Sequence, residues 1–157
     1  MNISRIAVRK YANDLSGAGA QRYGGRWNPK GLSALYTAET PAQAMLEFQP
    51  HFPVTSAPND LVLITIEAPN DLEIEELTIG DLPPDWYSKP PAGGTEKVGK
   101  VWLEKCAAAA LRVPSVMLPF GKAWNLVVNP MHAQHAQLVV TEIVSLEVDP
   151  RLKFSTS

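Results

Sequence analysis

At 157 residues, 45% hydrophobic and 19% charged, the chain has the length of one domain, enough apolar content for a core of its own, and no room for a second domain. Fourteen basic against sixteen acidic side chains give a formal charge of −2, which excludes the basic footprint of a general nucleic-acid binder. The single cysteine, Cys106, excludes an intrachain disulfide and a multi-cysteine zinc site. The opening segment MNISRIAVRKYAND has no apolar h-region and no aliphatic run approaches the ~18 residues of a membrane span, so a cytoplasmic domain is expected, with no membrane partner.

Charge is divided along the chain. Residues 1–30 carry six basic side chains (Arg5, Arg9, Lys10, Arg22, Arg26, Lys30) and one acid, Asp14, whereas residues 31–88 carry ten acids and no Lys or Arg. A solvated surface accounts for such a split, and so does a set of arginines forming an anion site on an acidic body. Such a body repels polyanions while converging guanidinium groups still accept a small phosphate ligand.

The elements read as mixed α and β. LSALYTA (32–38) and LVLITIEA (61–68) have the character of strands, the second apolar enough to be central. Between them TPAQAMLEFQPHF carries a helix start: Thr40 caps, Pro41 suits the first turn, and Gln43 completes a capping box. Pro50 and Pro53 end it. Residues 69–94, acidic and rich in Pro and Gly, read as a long irregular connection. A second helix starts near Thr95, with Val98, Trp102, Cys106 and Ala109 as its apolar stripe and Pro114 as its stop. Strands are expected at 115–119, 124–130 and 138–149.

Chemistry concentrates in SGAGAQRYGGRWNPKG (16–31), where Gly24 and Gly25 permit positive φ and close backbone approach, and Arg26 follows them directly. The spacing fits neither a P-loop nor a dinucleotide fingerprint. Glu47, set in Ala-Met-Leu-Glu-Phe, is either an exposed helix residue or a carboxylate turned inward, which requires a partner or a pocket. Tyr36 reads as core packing or as an aromatic wall, and Ser115 as a turn residue or a hydrogen-bonding one. His132 and His135 stand three apart with no third ligand near in sequence, so no metal site is expected. Cys106, among alanines, reads as a small buried hydrophobe.

Taken together, SGAGAQRYGGRWNPKGLSALYTAETPAQAMLEF, VGKVWLEKCAAAALRVPSVMLP, NLVVNPMH and VDPRL fall in order along nearly the whole chain and resemble the RES-domain family, named for its Arg, Glu and Ser. The resemblance implies an α+β single domain over 1–157: a split, twisted mixed β-sheet flanked by short helices, as in ADP-ribosyltransferases, around a cleft for NAD. It implies a toxin of a type II toxin–antitoxin pair that depletes NAD. Its partner would be an antitoxin with an Xre-like helix-turn-helix domain covering the active-site entrance, and any DNA contact would belong to that partner. The family's arginine, tyrosine, glutamate and serine correspond to Arg26, Tyr36, Glu47 and Ser115. An N-terminal arginine of the family corresponds to Arg5, and Asn129 matches a further pocket position.

The residue types suit that chemistry. A diphosphate accepts bidentate arginine contacts from Arg26 and Arg5, and the planar nicotinamide cation can rest on Tyr36. Cleavage of the nicotinamide–ribose bond passes through an oxocarbenium-like state, which a carboxylate such as Glu47 stabilises. Ser115 would bond the ribose or the nicotinamide amide, or support Glu47. No cofactor is expected beyond NAD as substrate. Water, inorganic phosphate as co-substrate, or a protein side chain would each serve as acceptor; the last makes the chain a protein ADP-ribosyltransferase. A catalytically dead binding module and an RNA-cleaving toxin are the other readings, the second disfavoured by the net charge.

Overall fold

The structure is a computed structural model and describes residues 1–48, 58–118 and 121–149. Seven strands form one sheet: β1 (Asn2–Val8), β2 (Leu35–Ala38), β3 (Leu61–Glu67), β4 (Ile74–Glu76), β5 (Ala110–Pro114), β6 (Trp124–Val128) and β7 (Val139–Ser145). Their order across the sheet is β4-β5-β6-β2-β1-β3-β7. Only β4 and β5 run parallel; every other pair is antiparallel. Among the described residues, three helices, α1 (Ala18–Tyr23), α2 (Pro41–Phe48) and α3 (Gly94–Lys105), accompany the sheet together with short 3-10 turns. No helix among the described residues is long and apolar enough to cross a membrane.

The sheet is split. β1 and β3 are paired along their full length, from Asn2↔Glu67 to Val8↔Leu61, and β2 and β6 along all four residues of β2. β1 and β2 meet at a single register position, Ser4↔Ala38. The two halves therefore diverge from that point, and a cleft opens between them.

Each face of the sheet has its own core. Alternate residues of a strand point to opposite faces, so Leu126 and Val128 of β6 join Ile3, Val62, Ile64 and Ile66 on one side, all essentially inaccessible. Val127, with Leu111 and Val113 of β5, lies on the other side against Trp27, Trp102 and Leu103. There α3 packs so closely that a Cβ on Gly99 would stand 1.8 Å from the Trp27 carbonyl oxygen, which only glycine permits.

Several expectations change. The N-terminal segment, noted above for its charge, forms β1, and α1 precedes the glycine turn. The connection at 69–94 contains β4 and a 3-10 turn closed by reciprocal bonds between Thr78 and Asp81. Most consequentially, AAAALRV does not continue α3. The helix stops at Lys105 with Cys106 in the left-handed conformation at φ 49°, and Ala110–Pro114 form a central strand. Alanine favours helix intrinsically, but burial between neighbouring strands overrides that weak preference. Cys106 is half-buried at the helix end rather than on an apolar stripe; the buried stripe is Thr95, Gly99, Trp102 and Leu103. Pro114 is tolerated because β4 pairs only as far as Arg112, and the expected strand at 115–119 is a bend over its described residues. Pro50 and Pro53 lie outside the described residues.

Candidate active site

The cleft at the split has two connected lobes that share Arg5, Ile6 and Tyr36. One lobe, of about 190 Å³, is lined by Ser4, Arg5 and Thr37 from the two strands and by Ala44, Glu47 and Asn125. The other, of about 490 Å³, runs between β1, Tyr11, Asp14 and α1.

Helix α2 delivers Glu47. Thr40 Oγ1 accepts from the Gln43 backbone N–H at 3.1 Å, the expected cap. The reciprocal half of the capping box is absent, because the Gln43 side chain turns inward to the carboxylate one turn along. Its Nε2 donates to Glu47 Oε1 at 2.9 Å. Ser115 Oγ donates to the same oxygen at 2.6 Å and Asn125 Nδ2 at 2.7 Å. Ser115 is itself fully buried, and its Oγ accepts from the backbone N–H groups of Met117 and Leu118. Three neutral donors from α2, β6 and the end of β5 thus converge on one carboxylate oxygen.

The glycine turn builds the opposite wall. Gly24 takes φ +75° at the end of α1, and Gly25 lies where a Cβ would stand 2.5 Å from the Tyr36 hydroxyl. Tyr36 Oη donates to Asn28 Oδ1 at 2.7 Å and accepts from the Trp27 N–H at 2.9 Å. The buried Asn28 completes the knot through Nδ2 to the carbonyls of Ala20 and Leu32. Burial pushes the Tyr36 phenol well above its ordinary range, so it is a neutral hydrogen-bonding and stacking group at any working pH.

Arg26 reaches across to the acidic connection, donating through Nη1 to the Trp86 carbonyl at 2.9 Å and through Nη2 to that of Ser88 at 3.1 Å. Desolvation lowers its proton affinity while the nearby charge of Glu47 raises it; an arginine remains a cation under these opposing effects. Arg5 lies at the junction of the lobes and donates to the Asp14 carbonyl at 2.6 Å. Its proton affinity is likewise lowered by burial and partly restored by the Asp14 carboxylate.

The fold thus brings Arg5, Tyr36 and Glu47 to one cleft, with Ser115 buried behind Glu47 and the charge of Arg26 beside it. It does not bring Asn129 there. Asn129 is buried, donates to the Leu103 carbonyl at 3.1 Å and accepts from Met131 N–H at 3.0 Å, pinning the end of α3 to the sheet. The asparagine of that stretch which lines the cleft is Asn125. It and Gln43 were missed by sequence reasoning, the first because it reads as an ordinary strand residue and the second because it reads as a cap. The histidines hold structure: His132 faces Glu73 at 3.3 Å and His135 bonds the Leu15 carbonyl. Among the described residues no group of three ligating side chains stands close enough to hold a metal.

A split mixed sheet with a carboxylate, a tyrosine and arginines at the split defines an ADP-ribosyltransferase-like fold. The RES domain matches residues 2–154, and the chain belongs to the RES family. "Toxin Res" of Yersinia enterocolitica serotype O:8 / biotype 1B is 38% identical over 155 residues, covering 98% of this chain and 100% of that one. The "Prs ADP-ribosylating toxin" of a Sphingobium species is 36% identical over 94% of each chain. Among solved structures, the M. tuberculosis MbcT–MbcA toxin–antitoxin complex superposes with a TM-score of 0.75 at 25% identity, over 92% of this chain and 83% of that chain. Family and fold agree with the expectations drawn from the motifs. The chain is a member of a toxin family.

Proposed function

We propose that this toxin consumes NAD by breaking the bond between nicotinamide and ribose, with inorganic phosphate or water as acceptor. The observation that carries the reading is the Glu47 carboxylate, fixed by three neutral donors in a cleft lined by Arg5 and Tyr36. As nicotinamide departs, positive charge develops on the ribose, and a preorganised carboxylate that needs no rearrangement lowers that barrier. Tyr36 offers its ring to the nicotinamide. Arg5, at the junction of the lobes, offers cationic donors to the diphosphate. Arg26 holds the 86–88 segment and adds positive charge near the same anion. Ser115 acts through Glu47 rather than on substrate, since its hydroxyl donates to the carboxylate and accepts two backbone N–H groups.

A chain that consumes NAD endangers its own cell, and the similarity to a toxin solved with its antitoxin supports a protein partner that occludes the cleft. We assign that role to an Xre-like helix-turn-helix antitoxin. A protein side chain as acceptor is the second reading, favoured by the relative named as an ADP-ribosylating toxin.

The test is purified protein with NAD, with and without inorganic phosphate, the products resolved by chromatography. Phosphate-dependent nicotinamide release with ADP-ribose 1-phosphate identifies a phosphorylase, and phosphate-independent ADP-ribose a glycohydrolase. Intact NAD in both samples overturns NAD degradation and leaves protein modification, read by transfer of labelled ADP-ribose to cell extract.

A further inference from the structure

Glu47 is held without a cation. Among the described residues no Lys, Arg or His lies within ion-pair distance of it, and Arg26, though near enough to act electrostatically, spends two of its N–H groups on the Trp86 and Ser88 carbonyls. What holds the carboxylate is neutral: the Ser115 hydroxyl and two side-chain amides. The amides form a relay. Gln43 Nε2 donates to Glu47 Oε1 at 2.9 Å and lies 3.4 Å from Asn125 Oδ1, while Asn125 Nδ2 donates to Glu47 Oε1 at 2.7 Å. Each amide is therefore oriented with its nitrogen toward the carboxylate. Every hydrogen bond to Glu47 from the described residues falls on Oε1.

We propose that Gln43 and Asn125 are positioning residues for the reaction, acting through Glu47. Together they fix the carboxylate in place through neutral donors and without a direct ion pair, so that its charge stays available to the positive charge that passes from the nicotinamide to the ribose as their bond breaks. A lysine or arginine in their place would immobilise the carboxylate equally well but would neutralise it before substrate arrived. Neutral donors aimed at an anion give the first effect without the second. The three elements arrive independently, α2 with Gln43, β6 with Asn125 and the end of β5 with Ser115, so the arrangement depends on the sheet split that opens the cleft. The proposal rests on the reading of Glu47 as the residue that stabilises the reacting ribose.

Two measurements test it. In the first, the side-chain amide resonances of Gln43 and Asn125 are identified by their loss in Gln43→Leu and Asn125→Leu, then followed in Glu47→Gln without substrate. Both are expected to move, while the amides of Asn28 and Asn129, bonded elsewhere, stay in place. If the Gln43 and Asn125 signals do not move, the arrangement is wrong whatever the protein's reaction. In the second, NAD turnover is measured on the folded Leu variants, with thermal midpoints recorded alongside. The expected result is a kcat lower by about 10- to 100-fold with KM for NAD within about 2-fold. Asn125→Asp, which sets a second carboxylate against the first, should lose at least as much as Asn125→Leu. Unchanged kcat in both Leu variants overturns the positioning role. Resonances that move in a wild-type protein that leaves NAD intact overturn the reaction assigned above and uphold the arrangement around Glu47.

Discussion

The two walls of the cleft are built on opposite principles. The glycine-turn wall is knotted by short-range bonds: Tyr36, Trp27, Asn28, Ala20 and Leu32 satisfy one another across sequence separations of four to nine residues, and Gly25 leaves room for the tyrosine hydroxyl. At the Glu47 wall two of the three donors come from far along the chain, Ser115 68 residues and Asn125 78 residues away in sequence. The first wall is part of what folds the domain. The second is assembled by the fold and contributes little to it. Substitutions in the two walls should therefore separate stability from activity.

The sharpest expected effect is on the second wall. Glu47→Ala should lower kcat/KM for NAD by 10²–10³-fold or more, about 3–4 kcal/mol of transition-state stabilisation, while the thermal midpoint changes little. A fully active Glu47→Ala would sink the assignment of the site. Next comes the packing that supports the first wall. Gly99→Ala forces a methyl group into the Trp27 carbonyl, a backbone atom that cannot rotate away. A loss of about 1–3 kcal/mol or more is expected, seen as a fall in denaturation midpoint. Tyr36→Phe should cost about 1–3 kcal/mol as well, because the Trp27 N–H and Asn28 Oδ1 both lose a partner in a part-buried place. A Tyr36→Phe protein as stable as wild type would show the knot to be weaker than its geometry indicates.

The same contrast explains what was legible in the sequence. Helix α2 and β3 were visible because their signals are local: Thr40 and Pro41 mark a helix start, and LVLITIE is a buried strand at a glance. The glycine turn with Arg26, Tyr36 and Glu47 was visible as a set of motifs, and the resemblance built on them carried the fold. β5 was not, since the run of four alanines favours helix, whereas α3 ends before it and only the last of the four, Ala110, opens the strand buried between β4 and β6. Gln43 and Asn125 were not either. Nothing in PAQAM or WNLVV announces an amide that turns toward a carboxylate, because the partnership exists only after α2 and β6 pack beside the split. The cap signal at Gln43 was half right, its backbone serving Thr40 and its side chain serving Glu47.

Asn129 gives the smallest effect and the most direct test of geometry against resemblance. The motif NLVVNP places it at a pocket position, whereas the structure commits both ends of its amide to backbone, at Leu103 and Met131. The bond to Leu103 is buried and the one to Met131 only part-buried, so the net loss in Asn129→Ala is dominated by one hydrogen bond in a buried place. That is about 1 kcal/mol, or roughly 2–4 °C in thermal midpoint for a domain of this size. NAD turnover by the folded protein should stay within about 2-fold of wild type, far from the 10- to 100-fold loss expected for Asn125→Leu. If Asn129→Ala instead loses turnover as Asn125→Leu does, the joint between α3 and the sheet governs the cleft, and the division between a structural and a chemical asparagine fails.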